Sequence, residues 1–98
     1  LNQAVFLAQL IGRQLGIPAN STIIKKLRET DRQSTLNASQ RQQNLKDAFH
    51  CKGSLENKHI ALVDDILTTG ATANEISRVL KAAGANRVDV WVCARTPE

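Results

Sequence analysis

Two adjacent carboxylates followed by a short hydroxyl-rich loop are the residues of this chain best suited to chemistry. Asp64 and Asp65 come directly after the apolar run 60–63, and the sequence Thr-Thr-Gly-Ala-Thr follows at 68–72. Carboxylates accept hydrogen bonds from vicinal sugar hydroxyls and can hold a divalent cation through water. A small loop that turns into a helix gathers backbone N–H groups and the positive end of the helix dipole on one point, where a phosphate binds. A phosphate site beside a diol site fits a ribose 5-phosphate.

A strand-helix-strand unit is predicted to position these residues. The run 59–63 does not alternate with polar residues, which is typical of a buried parallel strand, and the two aspartates then stand at its carboxyl end, where open α/β sheets bind ligands. A helix is predicted over 72–83, closed by Gly84, and a second strand over 88–94. The three elements form a right-handed βαβ unit.

A purely structural interpretation of the same segment stays open. Thr72 could cap the helix, with Glu75 three residues later completing a capping box. That interpretation is compatible with phosphate binding, since a capped helix start is also an anion site. It does not explain two adjacent carboxylates on a buried strand, which are costly without partners.

The remaining elements are predicted from periodicity and from helix-ending residues. Apolar spacing predicts a helix over 1–15, which Gly16 and Pro18 end, and a short strand over 22–27. Ser39 and Gln42 have the spacing of a capping box for a helix whose apolar edge is formed by Leu45, Ala48 and Phe49. The segment 51–58 is predicted to be a turn region. Trp91 is assigned to the core, although an aromatic side chain near a sheet end could also stack on a base. Both histidines are assigned to surface or structural positions.

Length and composition favour one soluble domain. The chain has 98 residues, of which 42% are hydrophobic. No apolar run approaches the ~20 residues of a membrane span, and no secretory signal is visible. Because the chain contains no methionine and begins inside a predicted helix, we expect it to be a piece of a longer protein. The two distant cysteines favour a reducing compartment, so a cytoplasmic location is expected.

Positive charge is concentrated in the central third of the chain. The formal net charge is +4. Eight of the thirteen basic residues lie between positions 25 and 58: Lys25, Lys26, Arg28, Arg32, Arg41, Lys46, Lys52 and Lys58. Such a cluster can face phosphates, nucleic acid or solvent. Direct nucleic-acid binding is the weakest of these interpretations, because only 3% of the residues are aromatic and base stacking needs aromatic side chains.

The segment 60–72, Ile-Ala-Leu-Val-Asp-Asp-Ile-Leu-Thr-Thr-Gly-Ala-Thr, resembles the 5-phosphoribosyl 1-diphosphate (PRPP) motif of type I phosphoribosyltransferases. Further upstream, the pattern R-x-T-x-x-Q-x-x-L from Arg28 and R-x-x-N-x-x-x-A-F from Arg41 is similar to the competence protein F (ComF/GntX) branch of that superfamily. The resemblance covers essentially the whole chain. It implies an α/β, phosphoribosyltransferase-like (Rossmann-like) domain over 1–98, with a mostly parallel sheet and flanking helices. It also implies that an upstream zinc-ribbon-like segment, the first strand and the diphosphate-contacting loop are missing, so that the domain is N-terminally incomplete.

The resemblance also implies roles for individual residues. Asp64 and Asp65 would be the catalytic carboxylates, binding the ribose hydroxyls and holding Mg²⁺ through water or substrate oxygens. A mobile hood over 28–38 would cover the site, with Lys26, Arg28 and Arg32 available for diphosphate, although a solvated surface explains these bases equally well. The 5-phosphate loop would consist of Thr68, Thr69, Gly70, Ala71 and Thr72.

Two functional interpretations follow from the resemblance. The first is a PRPP-binding phosphoribosyltransferase-type domain that transfers or recognises a phosphoribosyl group. The second is a non-catalytic sensor of PRPP or a nucleotide, or an accessory module in DNA uptake that works with competence or DNA-processing proteins. A homodimer is compatible with both, and no membrane association is expected. Purine-salvage members commonly have an aspartate at the position of Thr68, so Thr68 counts against that chemistry.

Overall fold

The computed structural model describes residues 3–27, 37–67 and 70–95; of residues 38, 41, 42, 65–67 and 95 it describes the backbone. In chain order the elements are α1 (Gln3–Leu15), β1 (Ile24–Lys26), α2 (Ala38–Leu45), β2 (Phe49–Cys51), β3 (His59–Leu67), α3 (Ala71–Ala82) and β4 (Arg87–Arg95). Within these residues no helix is long and apolar enough to cross a membrane.

Two pairs of strands organise the described chain. Strands β3 and β4 are parallel, with His59 opposite Arg87 at one end and Leu67 opposite Arg95 at the other. Strands β1 and β2 are antiparallel. Helix α3 connects β3 to β4, which gives the predicted strand-helix-strand unit. The α/β class with a parallel sheet is therefore confirmed, and the antiparallel pair is an addition to it.

The core lies where α3 packs on both pairs of strands. Val79 and Leu80 of α3 contact a cluster that includes Cys51 of β2 and Leu55 of the following turn. Ile60 of β3, together with Val88 of β4, packs against the same cluster. The core therefore fixes the start of the parallel pair relative to α3.

Glycines end two helices as the sequence predicts. Gly16 has φ +69 after α1, and Gly84 has φ +111 after α3. A Cβ on Gly84 would lie 3.0 Å from the backbone nitrogen and Cα of Glu56. Gly84 is therefore required both by its dihedral angle and by the close approach of the 55–58 turn.

The prediction for the middle of the chain was wrong in two respects. Helix α2 begins earlier, because Asn37 rather than Ser39 caps it: Gln40 N–H donates to the Asn37 side chain at 2.8 Å, and Asn37 N–H donates to Gln40 Oε1 at 2.9 Å. The helix ends at Leu45, and Phe49 lies on β2 instead of continuing the apolar edge. Asp47, in the left-handed region with φ 56, makes the break between them.

Trp91 is not in the core that was predicted for it. Its side chain is 39% exposed, and its neighbours Val90 and Val92 are similarly exposed. Both cysteines are free thiols, with Cys51 buried and Cys93 exposed.

Candidate active site

Strand β3 carries the two aspartates within its last four residues rather than after its end. The strand continues through Leu67, with Asp64 opposite Val92 and Leu67 opposite Arg95. The predicted strand stopped at residue 63 because the apolar run stops there, yet backbone pairing with β4 extends past the carboxylates. Asp64 is half-buried in the carboxyl half of the strand.

Helix α3 begins at Ala71, immediately after the predicted phosphate loop. Its N-cap is Gly70, in the left-handed conformation with φ 80 and ψ 0, and no side chain hydrogen-bonds to the cap. The first backbone bond of the helix runs from Asn74 N–H to Gly70 O at 2.8 Å. No side-chain cap is seen among the residues that the structure describes, and the positive end of the helix dipole at this point favours an anion.

The capping box predicted for Thr72 and Glu75 does not form. Glu75 instead accepts two hydrogen bonds from Arg78, at 2.9 Å from Nε and 2.6 Å from Nη2. The hydrogen bonds from Arg78 lower the pKa of Glu75, and burial opposes that change. Because Glu75 pairs with Arg78, it does not make the hydrogen bond to the helix start on which the purely structural interpretation depended.

Several predicted site residues lie outside the described part of the chain. These are Thr68, Thr69, Arg28 and Arg32, while Asp65 is described by its backbone alone. Lys26 is exposed at the end of β1. The last two residues of the predicted hood, 37 and 38, are the N-cap and first residue of α2, and the rest of the hood, 28–36, lies outside the described ranges.

The carboxylates of β3 are the donors available for a divalent metal at this site. In the part of the chain that the structure describes, no group of three or more His, Cys, Asp or Glu side chains is arranged to hold a metal. Mg²⁺ commonly binds through one or two carboxylates together with water and substrate phosphates, without an all-protein cage. The half-buried carboxylate of Asp64 fits that mode, in which the substrate supplies the other oxygens.

The amino end of the parallel pair carries a different charged cluster, which the sequence analysis did not predict. Asp89 lies 2.7 Å from His59 Nε2 and 3.0 Å from Arg87 Nε. The hydrogen bond from His59, and after it the one from Arg87, lowers the pKa of Asp89. Residues 59 and 89 are brought together by the register between β3 and β4. Their spacing in the sequence therefore could not predict this contact.

An apolar groove with a volume of about 260 Å³ lies beside β3. It is lined by α1, the segment 17–24, the middle of β3 and side chains of α3, with Trp91 at its edge. None of the lining side chains carries a charge. The groove therefore offers a phosphate no positively charged side chain.

The family model for the phosphoribosyl transferase domain matches residues 1–98. The chain belongs to this family. It is 43% identical over 97 residues to competence protein F from Haemophilus influenzae, covering 96% of this chain and 42% of that protein. It is 39% identical over 95 residues to the DNA utilization protein YhgH from Salmonella typhi, covering 97% of this chain and 42% of that protein.

The family membership confirms the resemblance that the motif and the upstream pattern predicted, including the competence protein F branch. The chain spans 42% of the length of these curated relatives, so their printed names describe much longer proteins. No solved structure matches the chain. The assignment of individual ligand contacts stays a prediction.

Proposed function

We propose that this phosphoribosyltransferase domain binds PRPP at the carboxyl half of β3 and the start of α3. The observation that supports this most strongly is the left-handed Gly70 at the start of α3, where the described residues show no side-chain cap, close after the Asp64–Asp65 pair in the same motif. In the proposed complex the 5-phosphate lies against residues 68–72, and the two carboxylates accept hydrogen bonds from the ribose hydroxyls.

The two carboxylates have a second role if the domain catalyses transfer. Departure of diphosphate leaves positive charge on the ribosyl ring, and carboxylates held close to the diol stabilise that charge. A phosphate fixed at the helix start orients the ring relative to its acceptor. Lys26, at the exposed end of β1, with Arg28 and Arg32 further along the chain, is proposed to contact the diphosphate.

Magnesium is the proposed metal, held by Asp64 and Asp65 through water or substrate oxygens. When bound, it would neutralise charge on the diphosphate. Because the described residues supply no complete set of ligands, we expect Mg²⁺ to bind together with PRPP rather than to the protein alone.

Calorimetric titration of the full-length protein tests ligand and metal together. PRPP with Mg²⁺ is expected to bind, ribose 5-phosphate to bind more weakly, and unphosphorylated ribose not to bind. A protein that binds none of these phosphorylated ligands, while remaining folded by circular dichroism, would contradict the proposal.

Catalysis is separated from sensing by measuring diphosphate release. The transferase proposal predicts that at least one nucleobase or amine in a panel stimulates release of diphosphate from PRPP. Binding without release from any member of a broad panel favours the second candidate, a non-catalytic sensor or accessory module. The observation that favours this second candidate is the similarity to proteins named for competence and DNA utilization.

We also propose a cytoplasmic protein that forms a homodimer. The two free cysteines support a reducing compartment. Location is tested by a fluorescent fusion with cell fractionation. Sedimentation of the full-length protein over a range of concentrations tests the dimer, and a monomer mass at the highest concentration would contradict it.

A further inference from the structure

The antiparallel pair β1–β2 presents a basic outer face, defined by Lys25, His50 and Lys52. The register places Lys25 directly opposite His50. Lys52 lies two residues beyond His50, and its N–H donates to Ile23 O at 2.8 Å, which extends the ladder by one pair. Because side chains on a strand alternate between faces, His50 and Lys52 share a side with Lys25. All three residues are exposed.

Packing fixes this face toward solvent. On the opposite side of the same ladder, Ile24 and Phe49 pack against the hydrophobic core, and Cys51 belongs to it. A slip of one residue in register would expose these apolar side chains and bury the lysines, which is strongly unfavourable. The basic outer face is therefore set by the fold.

Acidic residues do not neutralise this surface from within the ladder. The segments 23–27 and 48–53 contain no Asp or Glu. The nearest acid in sequence, Asp47, lies 4.0 Å from Arg78 of α3. Among the described residues, Glu75 and Asp89 are also engaged with cations, which are Arg78 for the first and His59 and Arg87 for the second. These three acids are therefore engaged with cations outside the ladder.

We propose that the basic outer face binds the phosphodiester backbone of DNA. This rests on the second candidate function, the DNA-related accessory role, and assigns a surface to it. Two lysines on a regular ladder suit contacts to successive phosphates, an interaction that does not depend on base sequence. The contact is separate from the PRPP site at Gly70.

The test measures DNA affinity of the full-length protein by fluorescence anisotropy over a range of salt concentrations. The variant carries Lys25→Gln and Lys52→Gln. Its matched control carries Lys58→Gln and Lys81→Gln, two exposed lysines outside the ladder, so that both variants lose the same net charge. Single-stranded and duplex oligonucleotides of mixed sequence form separate arms, and PRPP affinity is measured for each variant.

Each phosphate contact contributes roughly 0.7 to the slope of log affinity against log salt for single strands and ~0.9 for duplex DNA. The ladder variant is therefore expected to lose ~1.4 or ~1.8 from that slope, while the control keeps the parental slope. Equal salt slopes in the ladder variant and the control variant would overturn the proposal. If the ladder variant keeps the parental PRPP affinity, its loss of DNA binding cannot be attributed to damage at the PRPP site.

Discussion

The two ends of the β3–β4 pair place acidic residues beside different structural elements. At the amino end, Asp89 lies between His59 and Arg87, at 2.7 and 3.0 Å. In the carboxyl half, Asp64 and Asp65 are adjacent in sequence. Helix α3 begins at Ala71, four residues after the last residue of β3, and the described residues show no side-chain cap there. The first end holds one acid between two basic side chains, whereas the second has two acids close in sequence to a helix start suited to an anion.

The difference teaches where this fold can bind a ligand. A carboxylate that already has two cationic partners gains little from an external group, so the amino end is structural. A ribose phosphate brings hydroxyl donors for the carboxylates and an anion for the helix start, and both complement the carboxyl half. The comparison can be tested by changing matched residues at the two ends.

The largest effect is expected from removing the two carboxylates of β3. Hydrogen bonds to charged groups contribute about 1.5–3 kcal/mol each, so Asp64→Asn with Asp65→Asn should weaken PRPP binding by about 100-fold or more. The control Asp89→Asn, at the other end, should leave PRPP affinity nearly unchanged. Calorimetry on the full-length protein measures the PRPP affinity of both variants. Equal losses of affinity would show that the two ends do not differ in ligand binding.

The next effect concerns Gly84, in the turn that leads into the amino end of β4. Gly84→Ala must accommodate φ +111 and a Cβ 3.0 Å from the Glu56 backbone. Unfavourable backbone conformations of this kind cost about 1–3 kcal/mol. Urea denaturation should show a loss of that size in the free energy of unfolding, with PRPP affinity retained by the folded protein. A variant as stable as the parent would show that the turn moves easily.

Substitution of Gly70 should lower both the stability of the fold and the affinity for PRPP, with a smaller stability loss than at Gly84. Its φ of 80 makes Gly70→Ala cost about 1–2 kcal/mol, and any shift of the helix start also weakens phosphate binding. Gly16→Ala is the matched control, since Gly16 has φ +69 and a Cβ there meets nothing within 4 Å. Denaturation and calorimetry should show a similar stability loss in both and an affinity loss only at Gly70. Equal PRPP affinities would argue against this helix start as the phosphate site.

The smallest effect is a pH dependence at the amino end. Because His59 and Arg87 lower the pKa of Asp89 in the folded protein, the contribution of Asp89 is present above its unfolded pKa of about 4 and is lost as the pH falls through its folded pKa. Thermal unfolding should show a shallower decline in Tm below about pH 4 for Asp89→Asn than for the parent. Parallel declines would mean that the cluster does not affect stability.

The sequence predicted the parts of the fold that depend on local pattern. Strand β3 was predicted from its uninterrupted apolar run, α3 from the periodic spacing of its apolar residues, and the ends of α1 and α3 from Gly16 and Gly84. These predictions were correct because each pattern lies within a few residues of sequence. The end of β3 was missed, since backbone pairing with β4 continues past the polar Asp64. The motif itself predicted the family.

Predictions failed where a cap or a non-local contact decided the structure. Two predicted capping boxes had suitable spacing but do not form. Asn37, instead of Ser39, is the N-cap of α2. Glu75 pairs with Arg78 instead of bonding to the start of α3. The His59–Asp89 contact depends on register between strands 30 residues apart. Trp91 was assigned to the core by its type, whereas the structure leaves it at the edge of an apolar groove.

The central claim is that a ribose phosphate binds at the start of α3, and amide chemical shifts of the full-length protein test it most directly. Titration with PRPP and Mg²⁺, or with ribose 5-phosphate, should shift the backbone N–H signals of Gly70, Ala71 and Thr72 most strongly. Signals of His59 and Asp89, at the other end of the strands, should remain in place. Shifts that concentrate at the amino end or along the groove, with the α3 start unchanged, would contradict the account.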